Sequence, residues 1–335
     1  MAVKAKKKRL PTHVLHRRIN KRLAKVKFDK RCLICTDLDG TLLNKDCYIR
    51  TYSREVINAL NKKGHIVCLF TARALRGSYA YYRQLRLKTP IVNYNGSIIQ
   101  NPTNPAFTPI CFYINTEVIY KIFAQPKIQD LILNVIFETP DGTFFLKDYR
   151  KKVSHEQVKK ELAKFNIYTN KDIGFVSDDF AKLKNGAYSI LIELRDMSKA
   201  KIVEEEIKKI CSSVIVRSWT EEHVGTIIEI NSTFPSKGLA LRYLSVYYDI
   251  PLERCYAFGD NDNDKEMLSI AGHGYAMKNG VEVAKKAAKH ITKYDNHEQG
   301  VARELNRIFN LGIQLEINKN LQFEDGKTAK AKITK

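Results

Sequence analysis

Two rhythms of apolar residues alternate along the chain. Short apolar runs at 32–35, 65–70, 90–93 and 255–258 have the length of strands and stop at polar or turn-forming residues. Between and after them lie stretches with helical spacing. They cover 52–63, where Val56, Ile57 and Leu60 share one stripe, then 75–86, 237–248, 264–271 and 280–288. A further short strand is predicted near 274–276. Strands and helices in that alternation predict an α/β fold on a parallel sheet with right-handed crossovers.

Residues 101–229 break this rhythm. They open on Asn101-Pro102-Thr103-Asn104-Pro105, a linker-like stretch. Strand-like runs follow at 110–114, 131–137, 143–146, 189–194, 213–219 and 226–230, with helical patterns at 116–125, 154–165 and 198–211. Such a mixture predicts an α+β domain inserted into the α/β one. The 335 residues suffice for two domains, and a hydrophobic content of 44% is that of an ordinary globular protein. The expected organisation is a basic tail at 1–31, a discontinuous core at 32–100 and 230–312, the insertion at 101–229, and a second tail at 313–335.

Charge adds little to this picture once it is located. Of the formal net charge of +21, residues 1–31 carry +12, from thirteen Lys or Arg and one Asp. Residues 313–335 add +2, which leaves about +7 for the body. Basic segments gain from counterion release on nucleic acid or anionic lipid, and Ala5-Lys6-Lys7-Lys8-Arg9 has the composition of an import signal. The tail has no Phe, Tyr or Trp for base stacking before Phe28. It reads as a solvated extension, and nucleic-acid contact through it is not favoured. No apolar stretch approaches the roughly 20 residues of a membrane span, and the start lacks the apolar region of a signal peptide. Five of the seven cysteines (Cys32, Cys35, Cys68, Cys111 and Cys255) fall in strand-like runs, as buried free thiols of a reducing compartment do. The expectation is a cytoplasmic enzyme.

The candidate chemistry sits where strands end. The run 32–35 leads into Thr36-Asp37-Leu38-Asp39-Gly40-Thr41-Leu42-Leu43, two aspartates one residue apart before a glycine that lets the chain turn. In an extended segment residues i and i+2 point the same way, so Asp37 and Asp39 are expected on one side. Two close carboxylates repel unless a cation or a shared proton lies between them, and Mg²⁺ suits an all-oxygen site. Zinc is not expected, since no Cys/His cluster accompanies the aspartates. Thr71-Ala72-Arg73 follows the run 65–70, and Ser236-Lys237-Gly238 follows Pro235 at a predicted helix start. The run 255–258 passes into Gly259-Asp260-Asn261-Asp262-Asn263-Asp264. Open parallel sheets bind ligands at the carboxyl ends of their strands. Asp37, Thr71 and Asp260 can therefore converge although more than 220 positions separate the first from the last.

These four strings, in this order, resemble the four motifs of the haloacid dehalogenase superfamily of phosphohydrolases. Asn93-Tyr94-Asn95-Gly96-Ser97 is similar to the N-G-A loop of its Cof-type phosphatases. Gly274-Tyr275-Ala276-Met277-Lys278-Asn279-Gly280 is similar to their G-x-A-M-x-N-A segment, and Gln299-Gly300-Val301 stands where they carry Asp-Gly-Val. The resemblance covers roughly residues 32–310. Ala72 replaces the usual Gly, Ser97 and Gly280 the usual Ala, and Gln299 the usual Asp; none of these removes a catalytic group.

The resemblance implies a Rossmann-like core with a large α+β cap that sets substrate specificity. It also implies Mg²⁺-dependent hydrolysis of small phosphorylated metabolites, such as sugar phosphates. Asp37 would be the nucleophile that forms an aspartyl-phosphate, and Asp39 the general acid and base. Mg²⁺ would be held by Asp37, the backbone carbonyl of Asp39, and Asp260. Leu38, Thr71, Ala72, Lys237 and Asn263 would contact the phosphate, with Asp264 orienting Lys237 or metal-bound water and Asn95 supporting. Asp262 matches a variable position. A sugar phosphomutase shares these motifs and is the alternative outcome. A nucleic-acid-associated protein with an accessory phosphatase core is a weaker alternative, because Asp37, Asp39, Lys237 and Asp260 are all intact.

Overall fold

A computed structural model of the chain describes residues 31–146, 173–176, 180, 183–221 and 225–315. The basic tail before residue 31, the helix predicted at 154–165 and the tail beyond 315 lie outside the described residues.

The core sheet is parallel, with the strand Leu33–Thr36 between Ile66–Leu69 on one side and Cys255–Gly259 on the other. His273–Ala276 and then His290–Ile291 extend it beyond Cys255–Gly259. All four residues of the central strand are buried, because helices cover both faces. Alternate residues go to opposite sides. Ile34, Val67, Leu69 and Phe258 meet the helices Thr51–Lys62, Leu75–Gln84 and Gly300–Ile308. Leu33, Cys35, Cys68 and Ala257 meet Lys237–Tyr248, Lys265–Ile270 and Glu282–Ala287. Each fully buried Leu or Ile contributes about 1.5–3 kcal/mol, so the strand ends that carry the aspartates are firmly held. The predicted α/β doubly covered sheet is observed. All seven cysteines are free, and Cys35, Cys68 and Cys255 are buried.

A hairpin that the apolar pattern did not predict follows the run at 90–93. Ile91–Asn93 turns through Tyr94–Gly96 into Ile98–Gln100, which pairs in turn with Ile110–Cys111. The run predicted at 110–114 therefore divides: its start pairs with this hairpin, and Ile114 forms an isolated bridge to Ala187 of the inserted domain. Three-residue strands are too short to show a period.

The inserted domain carries a six-stranded sheet in the order Val214–Glu221, Gly225–Ser232, Ser189–Leu194, Ile132–Thr139, Gly142–Leu146, Ile173–Val176. Its pairs are antiparallel except the last, which is parallel. The helices Thr116–Phe123 and Ala200–Ile210 bury one face, through Val135, Phe137, Ile190, Ile192, Val216, Ile228 and Ile230. The helix predicted at 116–125 stops earlier, and Pro126 starts a separate turn, Pro126–Gln129. Among the residues of opposite parity Glu138, Ser189, Glu229 and Asn231 are polar and yet buried, beside the apolar Ile136 and Ile227.

Candidate active site

Asp37 is the first residue after the central strand. Its N–H still donates to the Phe258 carbonyl at 3.0 Å, so the sheet itself sets where its carboxyl stands. The chain then turns over Leu38–Leu42, with Gly40 at φ 72°. That glycine is needed twice: only glycine adopts this backbone freely, and a Cβ there would stand 2.3 Å from Asp260 Oδ2. Asp260 follows the neighbouring strand Cys255–Gly259, and Thr41 Oγ1 donates to its Oδ1 at 2.7 Å.

Lys237 begins the helix Lys237–Tyr248, whose first turn Ser236 caps by accepting the Leu239 N–H at 2.9 Å. The Lys237 ammonium is fully buried, 2.7 Å from Asp264 Oδ1 and 3.0 Å from Asp37 Oδ1. The other Asp264 oxygen accepts the backbone N–H groups of Asp260 at 2.9 Å and Asn261 at 3.0 Å. Carboxylate oxygens of Asp37, Asp260 and Asp264 lie within 4.8 Å of one another. Burial raises the Asp37 pKa well above the ordinary carboxylate range; Lys237 opposes the shift, and the neighbouring carboxylates add to it. Burial likewise lifts Asp260 to about 6, against the hydrogen bond from Thr41. For Lys237 burial pulls the other way, but the charges of Asp264 and Asp37 outweigh it and hold the ammonium above its usual value.

Three acids around one buried cation leave an excess of negative charge, which suits a divalent ion. The oxygens of Asp264 are already engaged by Lys237 and two amides, so the donors open to a metal are those of Asp37 and Asp260.

Asp39 pairs with Arg73, which donates through Nε at 2.7 Å and Nη2 at 2.5 Å. Its side chain is 49% exposed, against 8% for Asp37. The expected sharing of one side holds only in that both residues border the same cavity; the chain has entered its turn at Leu38, and the two carboxylates meet different cations. The Leu38 side chain is buried in the core. Thr71 is fully buried, its hydroxyl accepting the Arg73 N–H at 3.0 Å and its carbonyl the Asn95 N–H at 3.1 Å. Asn95, at φ 57°, accepts from Asn263 Nδ2 at 2.8 Å. Asn263 Oδ1 is buried without a partner, a cost that a bound group able to pair with it would remove.

Asp37, Asp39, Ala72, Asn95 and Asn263 border a cavity of about 740 Å³ between core and inserted domain. Glu138, Ser189, Leu191, Arg217 and Glu229 of the inserted sheet line its other side. Arg76 pairs with Glu138, and the Tyr94 hydroxyl donates to Glu138 at 3.0 Å, which ties core to insertion.

A model of haloacid dehalogenase-like hydrolases matches residues 34–305. The chain belongs to that family. A Bacillus subtilis relative, a 5-amino-6-(5-phospho-D-ribitylamino)uracil phosphatase, is 34% identical over 285 residues, covering 84% of this chain and 99% of the relative. A second B. subtilis phosphatase of that description is 29% identical and covers 80% of this chain and 95% of its own. The crystal structure of a haloacid dehalogenase-like hydrolase from Bacteroides thetaiotaomicron matches with a TM-score of 0.66 at 26% identity, covering 84% of this chain and 100% of that one.

Three groups of this haloacid dehalogenase-like hydrolase have roles that its local sequence does not show. Thr41, within the first motif, holds Asp260. Asn279, within the similar G-x-A-M-x-N segment, donates to the Gly40 carbonyl at 2.8 Å and accepts the Asn296 N–H at 3.0 Å, bracing the turn. The cap residues facing the cavity were signalled only by polar positions at period two within apolar strands. Gln299, the departure from Asp, accepts from the Ser53 hydroxyl at 3.2 Å.

Proposed function

We propose that this hydrolase is a Mg²⁺-dependent phosphatase that cleaves small phosphorylated metabolites through an aspartyl-phosphate on Asp37. The observation that carries the reading is the Asp37 carboxyl itself, buried at a strand end between the Lys237 ammonium and the Asp260 carboxylate and open to a metabolite-sized cavity.

An Asp37 oxygen attacks phosphorus, and the bond from phosphorus to the leaving oxygen breaks as the new one forms. Lys237, the Thr71 hydroxyl, Asn263 and the backbone at Leu38 and Ala72 hold the transferring group's oxygens. Asp39 donates a proton to the leaving oxygen and then takes one from the water that splits the aspartyl-phosphate. Before substrate binds, Arg73 orders the Asp39 carboxylate at the cavity edge; to act as the acid, Asp39 leaves that pair and takes up a proton from solvent, which it then passes to the leaving oxygen. Mg²⁺, held by Asp37, Asp260 and the Asp39 carbonyl, would supply the charge neutralisation that lets an anionic ester approach these carboxylates. Asp264 positions Lys237. Among the described residues no helix is long and apolar enough to cross a membrane. The buried free thiols fit a reducing compartment such as the cytoplasm.

The test is inorganic phosphate release from a panel of phosphorylated metabolites with Mg²⁺ present. Because two relatives are phosphatases of 5-amino-6-(5-phospho-D-ribitylamino)uracil, that compound leads the panel. Phosphate that moves to another position of a sugar instead of to water identifies a mutase. Asp37→Asn keeps the shape but not the attacking charge; retention of more than about a tenth of wild-type turnover sinks the nucleophile assignment.

A further inference from the structure

We infer that Glu229 and Arg217, with Ser189 beside them, read the leaving group, and that this wall selects phosphate esters whose leaving group is uncharged and donor-rich over esters with a second anionic group. The inference rests on the phosphatase reading of the cavity floor.

Parity places these residues together. In the cap sheet Ile190, Ile192, Ile228 and Ile230 go to the helix-covered side. Ser189, Leu191, Glu229 and Asn231 must then face the other way. Register sets Glu229 opposite Arg217 on one side and Leu191 on the other, while Ser189 lies opposite both Asn231 and Glu138. Ser189, Leu191, Arg217, Glu229 and Glu138 all line the cavity that Asp37 borders. Lys237 lies near enough for its charge to act on the Glu229 carboxyl.

The burial of these groups is unexplained by packing alone. Glu229 is 7% exposed and Asn231 2%, and charged side chains are almost never so buried unless paired. Glu138 meets that condition through Arg76, Tyr94 and Thr143. Glu229 accepts a long bond, 3.4 Å, from the Ser189 hydroxyl, with the Asn231 amide beside it and the Arg217 charge across the strand pair. Among the described residues neither amide atom of Asn231 meets a partner in full hydrogen-bonding geometry, although its amide lies close enough to Glu229 to favour the charged carboxylate. Burial raises the Glu229 pKa, and Arg217, Asn231 and Ser189 oppose the shift without cancelling it.

A wall with spare acceptor capacity is completed by hydroxyl or N–H groups. A ligand carboxylate or second phosphate would instead be desolvated beside Glu229 and Glu138, with Arg76 already committed to Glu138. At about 740 Å³ the cavity has the size of a small-molecule site, far more than one phosphate needs.

The test compares kcat and KM of the full chain with Mg²⁺ on three kinds of ester. Ribitol 5-phosphate and ribose 5-phosphate offer donors, 2-phosphoglycolate and 3-phosphoglycerate carry a second anion, and p-nitrophenyl phosphate reports the chemistry. The expected kcat/KM for the donor-rich pair exceeds that for the phosphocarboxylates by about tenfold or more. Glu229→Gln should narrow that ratio at least about fivefold, chiefly through KM, and Arg217→Gln should widen it. Glu229→Leu should lower kcat/KM on the donor-rich pair about tenfold more than on p-nitrophenyl phosphate. Circular dichroism melts establish that each variant is folded, and Arg217→Gln carries the test if either Glu229 variant is not. Equal treatment of the two classes by wild type, or equal shifts on all three kinds of ester in the folded variants, overturns the inference and leaves the phosphatase reading standing. No turnover on any ester, p-nitrophenyl phosphate included, overturns both.

Discussion

Lys237 lies fully buried 3.0 Å from Asp37 and 2.7 Å from Asp264, an arrangement that only mutual pairing makes tolerable. Desolvating such ions costs several kcal/mol each, and removing one partner leaves that cost uncompensated. Lys237→Met is therefore expected to lose about 3–5 kcal/mol of stability along with turnover, as read from urea unfolding and phosphate release. Asp264→Asn added to it should recover part of the stability and none of the turnover; a fully additive double-mutant cycle would contradict this coupling. Gly40 makes a second demand. Gly40→Ala forces a side chain into left-handed backbone at a cost of about 1–2 kcal/mol and drives its Cβ against the Asp260 carboxylate. The Mg²⁺ concentration that gives half-maximal turnover should rise severalfold, and an unchanged Mg²⁺ titration would remove Asp260 from the metal site.

At the scale of elements, the site depends on how strands end and how one helix begins. The central strand delivers Asp37 by continuing its ladder one residue past its end. The helix Lys237–Tyr248 delivers Lys237 because Ser236 holds its first turn. Ser236→Ala should cost about 1 kcal/mol of stability and lower kcat by more than so small a destabilisation explains, since fraying would move the ammonium. A kcat equal to that of wild type would show that packing alone fixes Lys237. The short hairpin at Ile91–Gln100 supplies Asn95, and its Gly96 lies so close to Ser236 that a Cβ would stand 2.5 Å from the Ser236 carbonyl oxygen. Three-residue strands carry no readable period, so this packing was invisible along the chain.

For the whole molecule, the proposed Mg²⁺ site would couple folding to function. A ligand bound only by the native state stabilises it by about 2.7 kcal/mol at a hundredfold excess over Kd. Adding Mg²⁺ to chelator-treated protein should therefore raise the melting temperature by several degrees and restore turnover. Full activity after exhaustive chelation would refute the site as drawn. Removing residues 1–28 should leave turnover nearly unchanged, since no motif residue lies there. Any nucleic-acid binding should vanish with that deletion and weaken steeply with salt. A folded deletion variant without activity would overturn the reading of the basic segment as accessory.

Short windows of sequence determined the parallel sheet, the inserted α+β domain and the strand ends at which Asp37, Thr71 and Asp260 stand. Burial on both faces and the backbone freedom of Gly40 leave their marks within a few residues of each position. Only the tertiary structure decided which charges meet. It brought Lys237 between Asp37 and Asp264, turned Asp39 to Arg73, and gave Asp260 a hydroxyl from Thr41. It also decided which parity of the cap strands faces the cavity, and so made Glu229 and Arg217 part of its wall. Electrostatic neighbourhood depends on distances between residues up to two hundred or more positions apart, and no local pattern carries those distances.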